Sequence, residues 1–123
     1  MKTQSAKAKG RKLQKWFRDV LIDQLKIHEE DIESRSMGAG GEDLIMARAA
    51  REKFPYSIEC KNQEKVNVWE AYKQSTENCG KYEPIVVIKK NNVKPLVLLD
   101  AEAFVKLHNS LPKEYTIDEL LKD

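Results

Sequence analysis

The sequence predicts a single-domain α/β protein: a mixed central β-sheet of about five strands flanked by helices. Three observations carry that reading. Two runs, Ile85-Val86-Val87-Ile88 and Leu96-Val97-Leu98-Leu99, are apolar without alternation, the pattern of strands buried on both faces. Segments with apolar residues at three- and four-residue steps precede and separate the strand candidates, as amphipathic helices do. The length, 123 residues of which 41% are hydrophobic and 34% charged, suits one core rather than two. The expected order is α, β, β, β, α, β, β, α, with no internal repeat.

The first helix is expected over Gly10 to Ile27, where Leu13, Trp16, Phe17, Val20, Leu21 and Leu25 form one apolar stripe. Gln14 is in line with Phe17 and Leu21, at the edge of that stripe. Residues 1–8 have little to bury and are expected to be a loose basic arm. His28 stands alone among acids and reads as a surface residue. A short strand over Ile32 to Ser36 is followed by Gly38-Ala39-Gly40-Gly41, a loop that implies positive φ angles or close backbone approach.

The next strand is expected over Asp43 to Ala47. Residues 47–53 favour helix by composition, but only two turns fit, and the sequence leaves this piece open. Phe54-Pro55 leads into a strand over Ser57 to Lys61, since the residue before proline avoids the helical region. Asn67-x-x-Glu70 opens a helix to about Asn78, with Trp69, Tyr72 and Thr76 expected to face inward; Cys79-Gly80 closes it. Strands over 84–89 and 94–99 are joined by the turn residues Asn91-Asn92. Asp100 caps a helix over 101–108, and Thr116-x-x-Glu119 starts a short one within a C-terminal extension, residues 110–123.

Several function classes drop out early. No apolar run approaches the roughly 20 residues that cross a bilayer, and the basic N-terminus lacks the apolar stretch of a secretory signal. The two cysteines, Cys60 and Cys79, make neither a disulfide framework nor a C-x-x-C metal pattern. The expectation is a cytoplasmic protein with reduced thiols and no membrane partner. A net charge of +2 hides an asymmetry: seven basic residues and no acid lie between Met1 and Arg18. Such a segment is the footprint of a polyanion partner. Its candidate phosphate contacts are Lys7, Lys9, Arg11, Lys12 and Lys15, with Arg18 also off the stripe centre. A charge run by itself is more often a solvated face, and only the acids beside it tip the reading toward nucleic acid.

Those acids sit on the strand Ser57 to Lys61. Alternation puts Glu59 and Lys61 on one face and Ile58 and Cys60 on the other. Asp43 opens the neighbouring strand at hairpin distance. Two carboxylates, with the backbone carbonyl of Cys60 as a third oxygen, suit a hard divalent cation such as Mg²⁺ or Mn²⁺. Lys61 is placed to orient a water and to stabilise charge developing at a phosphorus. A lone E-x-K on a strand is more often an exposed ion pair. Here a central strand, an adjacent Asp, a glycine loop and a basic helix accompany it, and charges buried without purpose are costly.

These residues resemble the PD-(D/E)XK nuclease superfamily, and within it the archaeal-type Holliday junction resolvases and related small phage nucleases. The resemblance covers roughly residues 7–108 and rests on Gly10-x-x-x-Gln14, on Arg35-Ser36-x-Gly38, and on Asp43 with Glu59-x-Lys61. It implies a restriction-endonuclease-like core and a metal-dependent endonuclease that hydrolyses DNA phosphodiester bonds, selectively on branched DNA. Two symmetric incisions in a junction further imply a homodimer. Under this resemblance Asp43 and Glu59 bind Mg²⁺, Lys61 assists the attacking water, Ser36 lies near the scissile phosphate, Gln74 stands beside the site and Arg35 contacts DNA. Gln14 stands where the resolvases commonly carry a glutamate; it can ligate through its carbonyl oxygen but brings no charge. Glu42 replaces the proline that usually precedes the acid. The competing expectation is a non-catalytic DNA-binding module, or a sequence-specific restriction-type endonuclease, on the same fold.

Overall fold

In the computed structural model, which describes residues 2–35, 41–110 and 117–121 (side chains of 2–4, 110, 119 and 120 aside), the first helix starts well before its apolar stripe. Helix α1 runs Lys2–Leu25, so the segment expected to be a loose arm continues the helix. The third turn is tied to the sheet: Asn62 Nδ2 donates to the Lys9 carbonyl (3.0 Å) and Lys9 Nζ to Asn91 Oδ1 (3.0 Å). Extending an anchored helix through Lys- and Ala-containing turns needs no new nucleus. Lys26, at φ 57°, stops it. Leu13, Phe17 and Leu21 are buried, while Trp16 and Leu25 lie at the flank of the stripe, partly exposed.

Strands β1 (Ile32–Ser34) and β2 (Leu44–Met46) pair antiparallel, Ile32 opposite Met46 and Ser34 opposite Leu44. Strand β3 (Tyr56–Asn62) pairs parallel to β4 (Glu83–Lys89), and β5 (Leu96–Leu98) lies antiparallel on the far side of β4. The five described strands therefore form a two-stranded and a three-stranded sheet, where one mixed sheet was expected. The segment that composition left open explains the split. It is helix α2 (Arg48–Lys53), which turns the chain away directly after β2, before a ladder onto β3 can extend. A backbone bond from the Asp43 N–H to the Ile58 carbonyl (2.8 Å) joins the two sheets. The core fills around that joint with Ile32, Leu44, Ile58, Ile85 and Val87, closed by Leu13, Leu21 and Ala50.

Helix α3 (Val68–Asn78) starts where its cap predicts, with Asn67 Oδ1 accepting from the Glu70 N–H (3.1 Å). Its rotation differs from expectation. Ala71 and Ser75 are the buried residues, Tyr72 is half-buried, Thr76 is exposed and Trp69 is 84% exposed. Small side chains let the helix sit close on β3 and β4, which turns Trp69 outward and the Ala71–Ser75 side inward.

The second departure is β5. Its partner β4 is buried from Pro84 to Val87, but Leu96 is 59% and Val97 51% exposed. As the last strand of its sheet, β5 has little packed over it among the described residues. Helix α4 (Ala101–Leu107) follows, capped as expected by Asp100 Oδ2 accepting from the Ala103 N–H (2.9 Å), yet it buries none of its residues. The short helix α5 (Ile117–Leu120) matches the expected terminal helix, whose cap residue Thr116 lies outside the described residues. Both cysteines are free thiols. Among the described residues no helix is long and apolar enough to cross a membrane.

Candidate metal centre

Strand β3 gives one edge to β4 and the other to Asp43. The N–H and C=O of a strand residue point to the same side, and alternate residues address alternate edges. Asp43 uses this twice: its N–H donates to the Ile58 carbonyl (2.8 Å), and its Oδ2 accepts from the Cys60 N–H (2.7 Å). The Cys60 carbonyl therefore faces the same edge as the Asp43 carboxylate, as a third oxygen ligand from that residue requires.

The approach to Asp43 is braced from both sides. Gly41 adopts φ +91°, open to glycine and strained for other residues. The Arg35 N–H donates to the Asp43 carbonyl (2.8 Å), and Arg35 Nε to the Glu42 carbonyl (2.8 Å). Glu42 itself turns away from the site and pairs with Arg51 of α2. Arg51 in turn donates to the Tyr56 carbonyl (3.0 Å) and lies 4.2 Å from the centre of the Tyr82 ring.

Glu59 is only 8% exposed and shares its strand face with Ser57 and Lys61. Asn78 of α3 donates to Glu59 Oε1 (3.1 Å). Glu59 and Asp43 interact side chain to side chain, which raises the Glu59 carboxyl and lowers the Asp43 carboxyl. Burial is the main cause that lifts the Glu59 carboxyl to about 7; the Asp43 charge adds to it, and the Asn78 amide and Lys61 ammonium oppose it. Burial also raises Asp43, against the Cys60 N–H, the Lys61 charge and hydrogen bonds from Glu59 and Gln14. The buried Cys60 thiol is pushed well up, which makes it a quiet core residue rather than a nucleophile.

Gln14 reaches the site from α1, 1% exposed. Its carbonyl oxygen accepts from Ser34 Oγ (2.5 Å) and its amide donates to Asp43. It meets the site as a donor that orients a carboxylate, where the sequence suggested a carbonyl ligand. Gln74 is exposed on α3; the amide that bonds Glu59 belongs to Asn78, one turn further along the same side. Asn78 and Ser34 were missed by sequence reasoning. The four-residue step from Gln74 to Asn78 was the available signal for the first; Ser34 had none. Ser36 lies outside the described residues.

The basic residues divide. Lys7, Arg11, Lys12 and Lys15 lie along α1 toward solvent, while Lys9 is tied to Asn91. Arg18 clamps the chain leaving α1, donating to the carbonyls of Ile32 (2.8 Å) and Glu29 (2.9 Å). Arg35 is likewise engaged with backbone.

Among the described residues no three or more His, Cys, Asp or Glu side chains gather as a metal-binding group, so the acidic set is the pair Asp43 and Glu59. The donors still suit a hard cation. Both carboxyls and the Cys60 carbonyl are oxygen donors, and the Asp43 charge beside the buried Glu59 makes a second ionised carboxylate costly without a cation to offset it. Comparison with known proteins returns nothing similar: no family model, curated protein or solved structure matches the chain significantly.

Proposed function

We propose that this protein is a metal-dependent DNA endonuclease on a restriction-endonuclease-like core, selective for branched DNA. The observation that supports it most is the meeting of Asp43, in the bend just before β2 where the strand was expected to begin, and Glu59 of β3 in one part-buried pair beside Lys61. Asp43, Glu59 and the Cys60 carbonyl would hold Mg²⁺ or Mn²⁺. The bound cation would polarise a phosphoryl oxygen and acidify a water. Asn78 and Gln14 hold the two carboxyls in place through hydrogen bonds. Lys61 stands on the Glu59 face of β3, where its charge favours both ionised carboxylates and would stabilise an attacking hydroxide. Lys7, Arg11, Lys12 and Lys15 on α1 offer sequence-independent phosphate contacts, which suits recognition of DNA shape.

The test is a cleavage assay on labelled four-way junction, flap and linear duplex with Mg²⁺ or Mn²⁺. Cutting of branched substrates should fall at least about 10²-fold in Asp43→Asn, Glu59→Gln and Lys61→Ala. An absence of cutting by the parent on every substrate, with DNA binding that persists in chelator, would favour the non-catalytic binding module instead.

A further inference from the structure

The β4–β5 turn brings to α1 a set of cations that lie far from it in sequence. Lys89 ends β4, and Lys90 and Lys94 stand exposed in the turn beyond it. The turn is fastened to the helix: Lys9 Nζ donates to Asn91 Oδ1 (3.0 Å), and Asn62 Nδ2, at the end of β3, donates to the Lys9 carbonyl (3.0 Å). Lys89 Nζ donates to the carbonyls of Lys90 and Val93 (3.0 Å each), which holds its charge at the base of the turn. Between helix and turn lies a groove of about 250 Å³, lined by Lys12, Leu13, Trp16, Asn62, Lys89 and Pro95. None of these lining residues is acidic, and the carboxylate of Glu64 is engaged by the Asn91 N–H (2.6 Å). Trp16, expected within the apolar stripe, is 43% exposed and lends the groove its indole.

We propose that this groove holds an unpaired segment of single-stranded DNA, with one base stacked on Trp16 and the neighbouring phosphates met by Lys12 and Lys89. The inference rests on the reading of this protein as one that acts on DNA, and adds an unpaired strand to what it recognises. A lone exposed aromatic residue is ordinary. An indole set among ammonium groups in a concave site is what single-strand binding uses, because every base has a π-face and every nucleotide a negative charge. Bases inside a duplex are already stacked on their neighbours and offer the indole nothing. Lys9, Lys90 and Lys94 continue the positive charge past the groove, which suits a polymer rather than a single nucleotide. Helix geometry links the groove to the acids. Steps of about 100° per residue put Gln14, which meets Asp43, and Trp16 on opposite flanks of α1, with Arg11 and Lys15 on the outer surface between them. A strand that leaves the Asp43–Glu59 edge across that surface passes both cations before it reaches Trp16.

Binding is measured in chelator, which separates it from cleavage: a parent that cuts nothing can still bind through Trp16, and one that cuts can fail to. Anisotropy of a labelled oligothymidylate of about 12 nucleotides gives the affinity. Indole fluorescence of the full chain carrying Trp69→Phe reports on Trp16 alone, since the sequence has 2 tryptophans. The oligomer should quench that fluorescence. Trp16→Ala should weaken binding about tenfold or more, and Trp16→Phe, which keeps a ring to stack on, should recover most of it. Lys12→Gln and Lys89→Gln should each lower the slope of log affinity against log salt by about 0.7. Affinity for a blunt duplex should change less than about twofold in Trp16→Ala. Unchanged far-ultraviolet circular dichroism separates lost binding from lost folding. A parent that does not bind the oligomer, or binds it without quenching Trp16, overturns the inference. So does a Trp16→Ala protein that binds like the parent or loses oligomer and duplex equally, or thymidine monophosphate binding as tightly as the oligomer.

Discussion

The Asp43–Glu59 edge and the β5–α4 face are opposite exceptions to the same rule. At the first, an amide and a carboxyl are buried, Gln14 and Glu59 at 1% and 8% exposure, beside the half-buried Asp43. At the second, leucine, valine and phenylalanine stand more than half exposed. Gln14 and both carboxyls are bound by named partners: Ser34, the Cys60 N–H and Asn78. The apolar groups outside have no comparable cover among the described residues. Burial of polarity is tolerated where hydrogen bonds replace water. Exposed apolar area has no such local remedy and calls for a covering surface. The contrast marks one region as complete except for positive charge, and the other as complete only when something covers it.

The sharpest way to break this contrast is to truncate one aliphatic residue in each region. Ile58→Ala, at a position with no exposure beside the acids, should cost ~2–5 kcal/mol in urea unfolding. Val97→Ala, in protein dilute enough to be monomeric, should stay within ~0.5 kcal/mol. Equal losses would mean that the β5 face is packed in solution.

The acid edge should next show itself through pH. The Glu59 carboxyl is raised from 4.5 to about 7 in the folded state, so between those values the native protein holds a proton that the unfolded chain has released. Stability should therefore be greatest below about pH 4.5 for this group and fall as pH rises, by on the order of 2–3 kcal/mol, levelling above about 7. Glu59→Gln should flatten most of that slope in thermal melts across this range. Added Mg²⁺ should raise the melting temperature more at alkaline than at acid pH, since it competes with protonation of the carboxyls that would hold it.

Smaller effects refine the account of how the acids are held. Arg51→Ala should cost ~1–3 kcal/mol in denaturant titration, because it strands the part-buried Glu42 carboxylate. Ser57→Ala should be neutral or stabilise by up to ~1 kcal/mol, since its hydroxyl is wholly buried among the described residues without a hydrogen-bond partner. A clear loss at Ser57 would reveal a partner for that hydroxyl.

Local sequence signals placed the elements well where chemistry is local. Asn67 with Glu70, Asp100 with Ala103, and Gly80 at φ +56° act within a turn, and each appears where its residue type predicts. Strand alternation likewise puts Glu59 and Lys61 on one face of β3, since parity along a strand depends on nothing outside it. The rotation of α3 was not legible, because choosing Ala71 and Ser75 over Trp69 depends on how near the sheet lies. Asn78 was missed for the same reason.

By itself, the sequence determined the mixed α/β character, the caps, the acid-bearing strand and the basic first helix, all of which follow from periodicity or from neighbours a few residues apart. The tertiary structure decided the rest. It divided the strands into two sheets, because α2 turns the chain away after β2, and it made Gln14 a donor, because Ser34 reaches its carbonyl from another element. It also left the apolar run Leu96 to Leu99 at an edge. A continuous apolar run states that burial is favourable; only the arrangement of neighbours states what, within one chain, is there to provide it.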